Sequence, residues 1–222
     1  MPITWDSLPF ETKKERLPPY YSGHNLKNVI EKLSSYKNGL RKNEFETSEE
    51  YADRISPILS RFGLLAFSVC LKSDKDEQEI WYSADDRKLT VRRLFYGGTF
   101  KYEDRKVRSY PAQTIGGAKV IVSVTETKFW NLELSESQAR PSDGYVQYNI
   151  EMSPETARAA KNNIRLLIIF QPAGVDKTKG YASAKWPSLK EGPVYNYNLQ
   201  GILQEMWIYN FVTGEVLLRS KW

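Results

Sequence analysis

The chain has 222 residues, 41% of them hydrophobic and 27% charged, with a formal net charge of +5 and one cysteine. That balance favours a folded chain over a disordered one and leaves apolar material for one sizeable core or two small ones. A lone cysteine excludes an intramolecular disulfide and a cysteine zinc site, and no apolar run approaches the ~20 residues of a membrane-spanning helix.

Residues 1–25 contain Pro2, Pro9, Pro18 and Pro19, which break helices and ladders. Leu17 to Asn25 is expected as an extended segment held to the surface by its aromatic residues. Asn25 caps a predicted helix from Leu26 to about Tyr36, with Leu26, Val29, Ile30 and Leu33 on one face and Asn38-Gly39 as its end. A second helix is predicted from about Ser48 to Arg61, capped by Thr47 or Ser48, with Tyr51, Ile55, Ile58, Leu59 and Phe62 as its apolar stripe. Pro57 inside that stripe predicts a kink or a split.

From Gly63 to Glu151 the period is two. Strands are predicted at Leu64–Leu71, Glu79–Ser83, Lys88–Tyr96, Phe100–Glu103, Ala118–Lys128, Phe129–Ser135 and Tyr145–Met152, with Asp85-Asp86, Gly97-Gly98, Gly116-Gly117 and Asp143-Gly144 in turns. Ser153 then caps a short helix that opens with Pro154 and Glu155, and a left-handed Asn162-Asn163 ends it. Ile164 to Phe170 follows with hardly a polar break, as in a central strand buried on both faces. Gln171 to Tyr197 is expected to be a long irregular loop, and Leu199 to Arg219 a β-hairpin turning at Gly214. The fold class is therefore α+β: a mostly antiparallel sheet, N-terminal helices packed on it, and one short capped helix before the central strand. A single domain is expected over 1–222, with residues 1–62 as extended segment plus helices and 63–222 as the β-rich body.

Three phrases stand out together: Leu17-Pro18-Pro19-Tyr20-Tyr21-x-Gly23-His24-Asn25, then Glu44-Phe45-Glu46-Thr47-x-x-x-Tyr51 with Arg54, and Thr213-Gly214-Glu215-Val216-Leu217. The set resembles a loose group of uncharacterised bacterial proteins usually made with an export or lipoprotein signal. The resemblance implies a periplasmic or secreted location and no particular activity. The N-terminus itself has no basic stretch leading into an apolar one, so no signal peptide is expected in it, and a cytoplasmic location stays open.

Chemistry is sparse. His24, the single histidine, sits among Pro, Tyr and Gly and reads as a hydrogen-bonded structural residue. Cys70 lies between Val69 and Leu71, where a thiol is expected to be buried and inert, which argues against a Cys70–His24 dyad. Gly116-Gly117 and Gly97-Gly98 lack the residues of a phosphate cradle. Asp85-Asp86 and Glu103-Asp104 are paired carboxylates expected at turns, and a hydrolase with a carboxylate-only site remains an alternative. No metal or other cofactor is expected.

Two stretches suggest binding. Arg87 to Tyr110 interleaves cations with aromatic residues, as in sheets that bind single-stranded nucleic acid, with Arg92, Arg93, Lys101, Arg105 and Arg108 as the candidate contacts. Gln171 to Tyr197 carries Tyr181, Trp186, Tyr195 and Tyr197, residue types that anchor protein interfaces. The leading expectation is a non-enzymatic accessory protein of the bacterial envelope that docks a protein partner through this aromatic loop.

Overall fold

The computed structural model describes residues 9–36, 40, 42–71, 79–94, 98–134, 145–185 and 189–222. The elements in chain order are α1 (Leu26–Ser34), α2 (Ser48–Ser60), β1 (Leu65–Cys70), β2 (Ile80–Ser83), β3 (Lys88–Leu94), β4 (Gly98–Gln113) and β5 (Lys119–Leu134). They continue with β6 (Tyr145–Glu151), α3 (Pro154–Ala160), β7 (Ile164–Ala182), β8 (Lys190–Asn210) and β9 (Val216–Lys221). The class is α+β. A large sheet runs β1-β7-β8-β5-β4 with β9 also on β8, and a small sheet runs β2-β3-β6. Every pairing is antiparallel except β5 with β8.

The helix ends form for the reasons the sequence gives. Asn25 accepts from the Asn28 N–H, and Ser153 from that of Thr156. Thr47 and Glu50 make a reciprocal capping box. α2 runs unsplit through Pro57, because the bond that proline forfeits lies near the last turn. Asn162 and Asn163 are not left-handed. α3 runs into a 3₁₀ turn, Lys161–Asn163, and the residues with positive φ other than glycine are Tyr20, Arg87 and Leu189 among those described.

β7 begins between β1 and β8, and its side chains alternate between two covered faces. Ile164, Leu166, Ile168 and Phe170 join α1, α2 and the small sheet's Ile80, Leu89, Val91, Val146 and Ile150 in one cluster. Leu167 and Ile169 join Ala66, Trp207 and Tyr209 beneath Phe10, Leu17 and Tyr21 of the N-terminal segment. That segment therefore covers the second face. The Phe10 N–H donates to the Leu64 carbonyl (2.7 Å), Leu17 to Gly214 (2.8 Å) and His24 to Ala66 (2.8 Å).

The irregular loop expected over Gln171–Tyr197 is not there. β7 and β8 form one long hairpin, registered from Ile164↔Asn210 to Ala182↔Gly192, with shifts between Ile169 and Phe170 and between Pro172 and Gly174. Past residue 175 the side chains of β7 are exposed, so the strand loses the apolar alternation that marks a half-buried one. Likewise β4 and β5 are 16-residue strands, where shorter ones were expected.

Candidate basic and aromatic face

At the border of the core, one face of the large sheet carries two cross-strand rows. Register sets Lys101 of β4 beside Trp130 of β5, then Tyr197 of β8, then Lys177 of β7. The next row reads Glu103, Lys128, Tyr195, Lys179. Strands lie ~4.8 Å apart, so each row is about 14 Å wide, with about 7 Å between rows. The preceding row, Leu132 and Leu199, is fully buried, so the face grows directly out of the core.

The rings and amines interlock. Trp130 is 2% exposed and stacks on Tyr197, with centroids 5.5 Å apart and planes at 10°. Lys27 reaches over from α1, its Nζ 5.0 Å from the Trp130 centroid, and Lys101 stands at 5.7 Å. Lys177 lies 4.9 Å from the Tyr197 centroid and 5.3 Å from that of Tyr195, and Lys179 5.7 Å from Tyr195. Each such contact contributes ~0.5–1 kcal/mol at an exposed site and holds the amine over the face.

Charge is unequal. Glu103 takes Lys27 at 3.1 Å and Lys101 at 2.9 Å, and Glu126 takes Lys128 at 2.9 Å and Arg105 at 3.3 Å. Hydrogen bonds from Lys101 and Lys27 lower the Glu103 pKa, and a bond from Lys128 lowers that of Glu126. Both stay ionised and saturated. Lys177 and Lys179 have no carboxylate partner among the described residues. A concavity of about 320 Å³ lies beside these rows, lined by Glu103, Asp104, Arg105, Glu126 and Lys128. A larger one, about 1010 Å³, lies on the loop before α2, where Arg54 grips Glu46 and holds its carboxyl near a pKa of about 2. Several of its polar groups are engaged, Arg54 with Glu46, Lys42 with Ser48 and Glu50 with Thr47.

The aromatic candidates are only partly gathered. Tyr195 and Tyr197 lie in the rows, Tyr181 is exposed further out on β7 opposite Pro193, and Trp186 lies outside the described residues. The five basic candidates are divided. Arg92 and Arg93 sit on β3 in the small sheet, Arg92 over the Tyr145 ring at 4.1 Å and Arg93 paired with Glu79 at 2.7 Å. Lys101 and Arg105 are on β4 in the large sheet, and Arg108 lies past the bulge there. Lys27, Lys128, Trp130, Lys177 and Lys179 went unnoticed in the sequence. Their signal is spacing two, in Lys128-x-Trp130, Lys177-x-Lys179 and Tyr195-x-Tyr197, and it becomes legible once the segments are known to be strands.

The catalytic candidates separate. His24 is 5% exposed, and its Nδ1 accepts from the Ala66 N–H at 3.0 Å. Cys70 is exposed, not buried, because β1 ends there. It lies four residues along β1 from Ala66, about 13 Å at ~3.3 Å per residue, out of reach of His24. Glu103 and Asp104 are in a strand and not a turn. Their side chains point to opposite faces, Asp104 toward Thr127 and Lys190. Asp86 is tied to Ser83 within its turn. No group of three or more His, Cys, Asp or Glu able to hold a metal occurs among the described residues. No family model, curated protein or solved structure matches the chain.

Proposed function

We propose that this is a docking protein that takes an acidic segment of a protein partner on the Lys177/Lys179–Tyr195/Tyr197 face. The observation that carries the reading is the pair of cross-strand rows, in which exposed amines without carboxylate partners stand over half-buried tyrosine rings. Such amines donate to carboxylates, while ring edges and lysine stems supply apolar contact. Single-stranded nucleic acid is the weaker fit. Bases stack on open ring faces, and here lysines cover the tyrosine faces while Trp130 is buried against Tyr197. An envelope location and export rest on the resemblance of the three phrases alone.

The test is fluorescence titration of an oligoglutamate peptide containing one tryptophan, with oligothymidylate alongside. Peptide binding that falls with added salt, and falls about tenfold or more in Lys177→Glu/Lys179→Glu, is expected. Peptide binding unchanged in that variant, or tighter oligothymidylate binding lost in it, refutes the reading.

A further inference from the structure

The far half of the β4–β5 hairpin belongs to neither core. β8 joins β5 only from Ser123 onward, and β4 is an edge strand, so residues 110–122 project as a two-stranded ribbon, with 105–109 at its base. Its turn is closely bonded. Thr114 N–H donates to the Ala118 carbonyl at 2.9 Å, Gly117 N–H to that of Thr114 at 2.9 Å, and the Gln113 amide to that of Gly117 at 2.8 Å. Gly117 has φ +84°, a conformation other residues avoid. This firm turn holds Ile115 fully exposed at the apex. Behind it, Ile121 is 60% exposed opposite an exposed Pro111, and Val107 at the bulge is 57% exposed.

The charges are sorted along the ribbon and its base. From 105 to 125 the chain has Arg105, Lys106, Arg108 and Lys119 and no acidic residue. Arg105 is paired with Glu126, while Lys106, Arg108 and Lys119 make no ion pair among the described residues. Residues 109–118, the whole tip, carry no charge. Lys119 stands opposite Gln113, immediately behind the turn.

From this layout we infer that the β4–β5 ribbon docks on an anionic lipid surface, with Ile115 inserted below the headgroups and Lys119 at the phosphates. Apolar groups of peripheral proteins sink ~5–10 Å into the headgroup boundary, about the reach of this tip beyond Lys119. Lysines and arginines behind them are drawn to anionic headgroups within a Debye length. A ribbon that tracked nucleic-acid phosphates would carry cations to its apex. It would also offer hydrogen-bonding side chains to base edges, whereas here the apex is isoleucine and the Gln113 amide is engaged by Gly117.

The experiment is co-sedimentation of the full chain with phosphatidylcholine vesicles, with and without one third phosphatidylglycerol, and a duplex-DNA gel shift alongside. Binding to the anionic vesicles alone is expected. Ile115→Ser is expected to weaken it about tenfold, the effect of one buried aliphatic side chain. Lys119→Glu is expected to weaken it too, with melting temperatures unchanged since both side chains are exposed. Lys177→Glu/Lys179→Glu should bind vesicles as the parent does, which separates this ribbon from the docking face. The inference is overturned if the parent stays in the supernatant, if Ile115→Ser binds undiminished, or if the two ribbon variants lose duplex DNA and keep vesicles.

Discussion

Leu166 and Leu167 are neighbours on β7 that face opposite ways, and the account requires both to be core residues. Leu166 is 1% exposed and packs with the helices and the small sheet; Leu167 is 0% exposed and packs with Trp207 and Tyr209 beneath the N-terminal segment. A buried leucine cut to alanine costs about 2–5 kcal/mol, the lost transfer energy plus the cavity left behind. Each variant should therefore lose about 2–5 kcal/mol, out of a total of about 5–15 for a typical protein. In a chain of this size each kcal/mol shifts the melting temperature by ~2–4 °C, so a 3 kcal/mol loss appears as a drop of ~6–12 °C. Urea denaturation with a shared slope gives the free energies, and the exposed Val107→Ala serves as a control within ~0.5 kcal/mol. A sheet with one covered face would make one leucine costly and the other nearly silent. If Leu167→Ala costs less than about 1 kcal/mol while Leu166→Ala costs the full amount, Phe10, Leu17 and Tyr21 do not cover the second face, and the description of the core is wrong.

Gly214 has φ +74°, and a methyl there would overlap the Leu17 carbonyl oxygen, so Gly214→Ala should cost about 1–3 kcal/mol in urea denaturation. Gly180→Ala, with open space around it, should cost almost nothing. Burial raises the Tyr209 pKa from 10.0 to about 12, while its hydroxyl donates to the Tyr21 carbonyl at 2.5 Å and shares a 2.6 Å bond with Ser68. The folded state thus keeps a proton that the unfolded chain releases first. This stabilisation is full below pH 10 and is lost as the pH rises through about 12, so tyrosinate absorbance for Tyr209 should lag that of the exposed tyrosines. Co-titration with them near 10 would contradict its burial.

The helix caps at Asn25, Thr47 and Ser153 were legible because each is local: a side chain and an N–H three residues on. The doubly buried stretch 164–170 was legible because burial on two faces leaves an unbroken apolar run. The far half of β7–β8 was not. Its strands pair Asp176 with Asn198 and Thr178 with Asn196, pairings that no local pattern announces. Pro172, Gly174, Gly192 and Pro193 also imitate a loop, though the first two flank a register shift and the last two lie within the ladder. The candidate face depends on that hairpin. Tyr195 and Tyr197 could be singled out as aromatic, but Lys177, Lys179, Lys128 and Trp130 join them only through the register of three strands. The parallel β5–β8 pairing in particular joins segments about 70 residues apart in sequence, a contact of the kind a crossover makes and a period does not reveal.

The proposed docking role of this face is tested most directly by mapping amide chemical-shift changes as an acidic peptide is titrated into the labelled protein. The account predicts that the largest changes cluster on Lys177, Lys179, Lys128, Tyr195 and Tyr197, and that they vanish in Lys177→Glu/Lys179→Glu. Changes centred on Arg92 and Arg93 of the small sheet, or scattered over the surface and unaffected by the two substitutions, would contradict it.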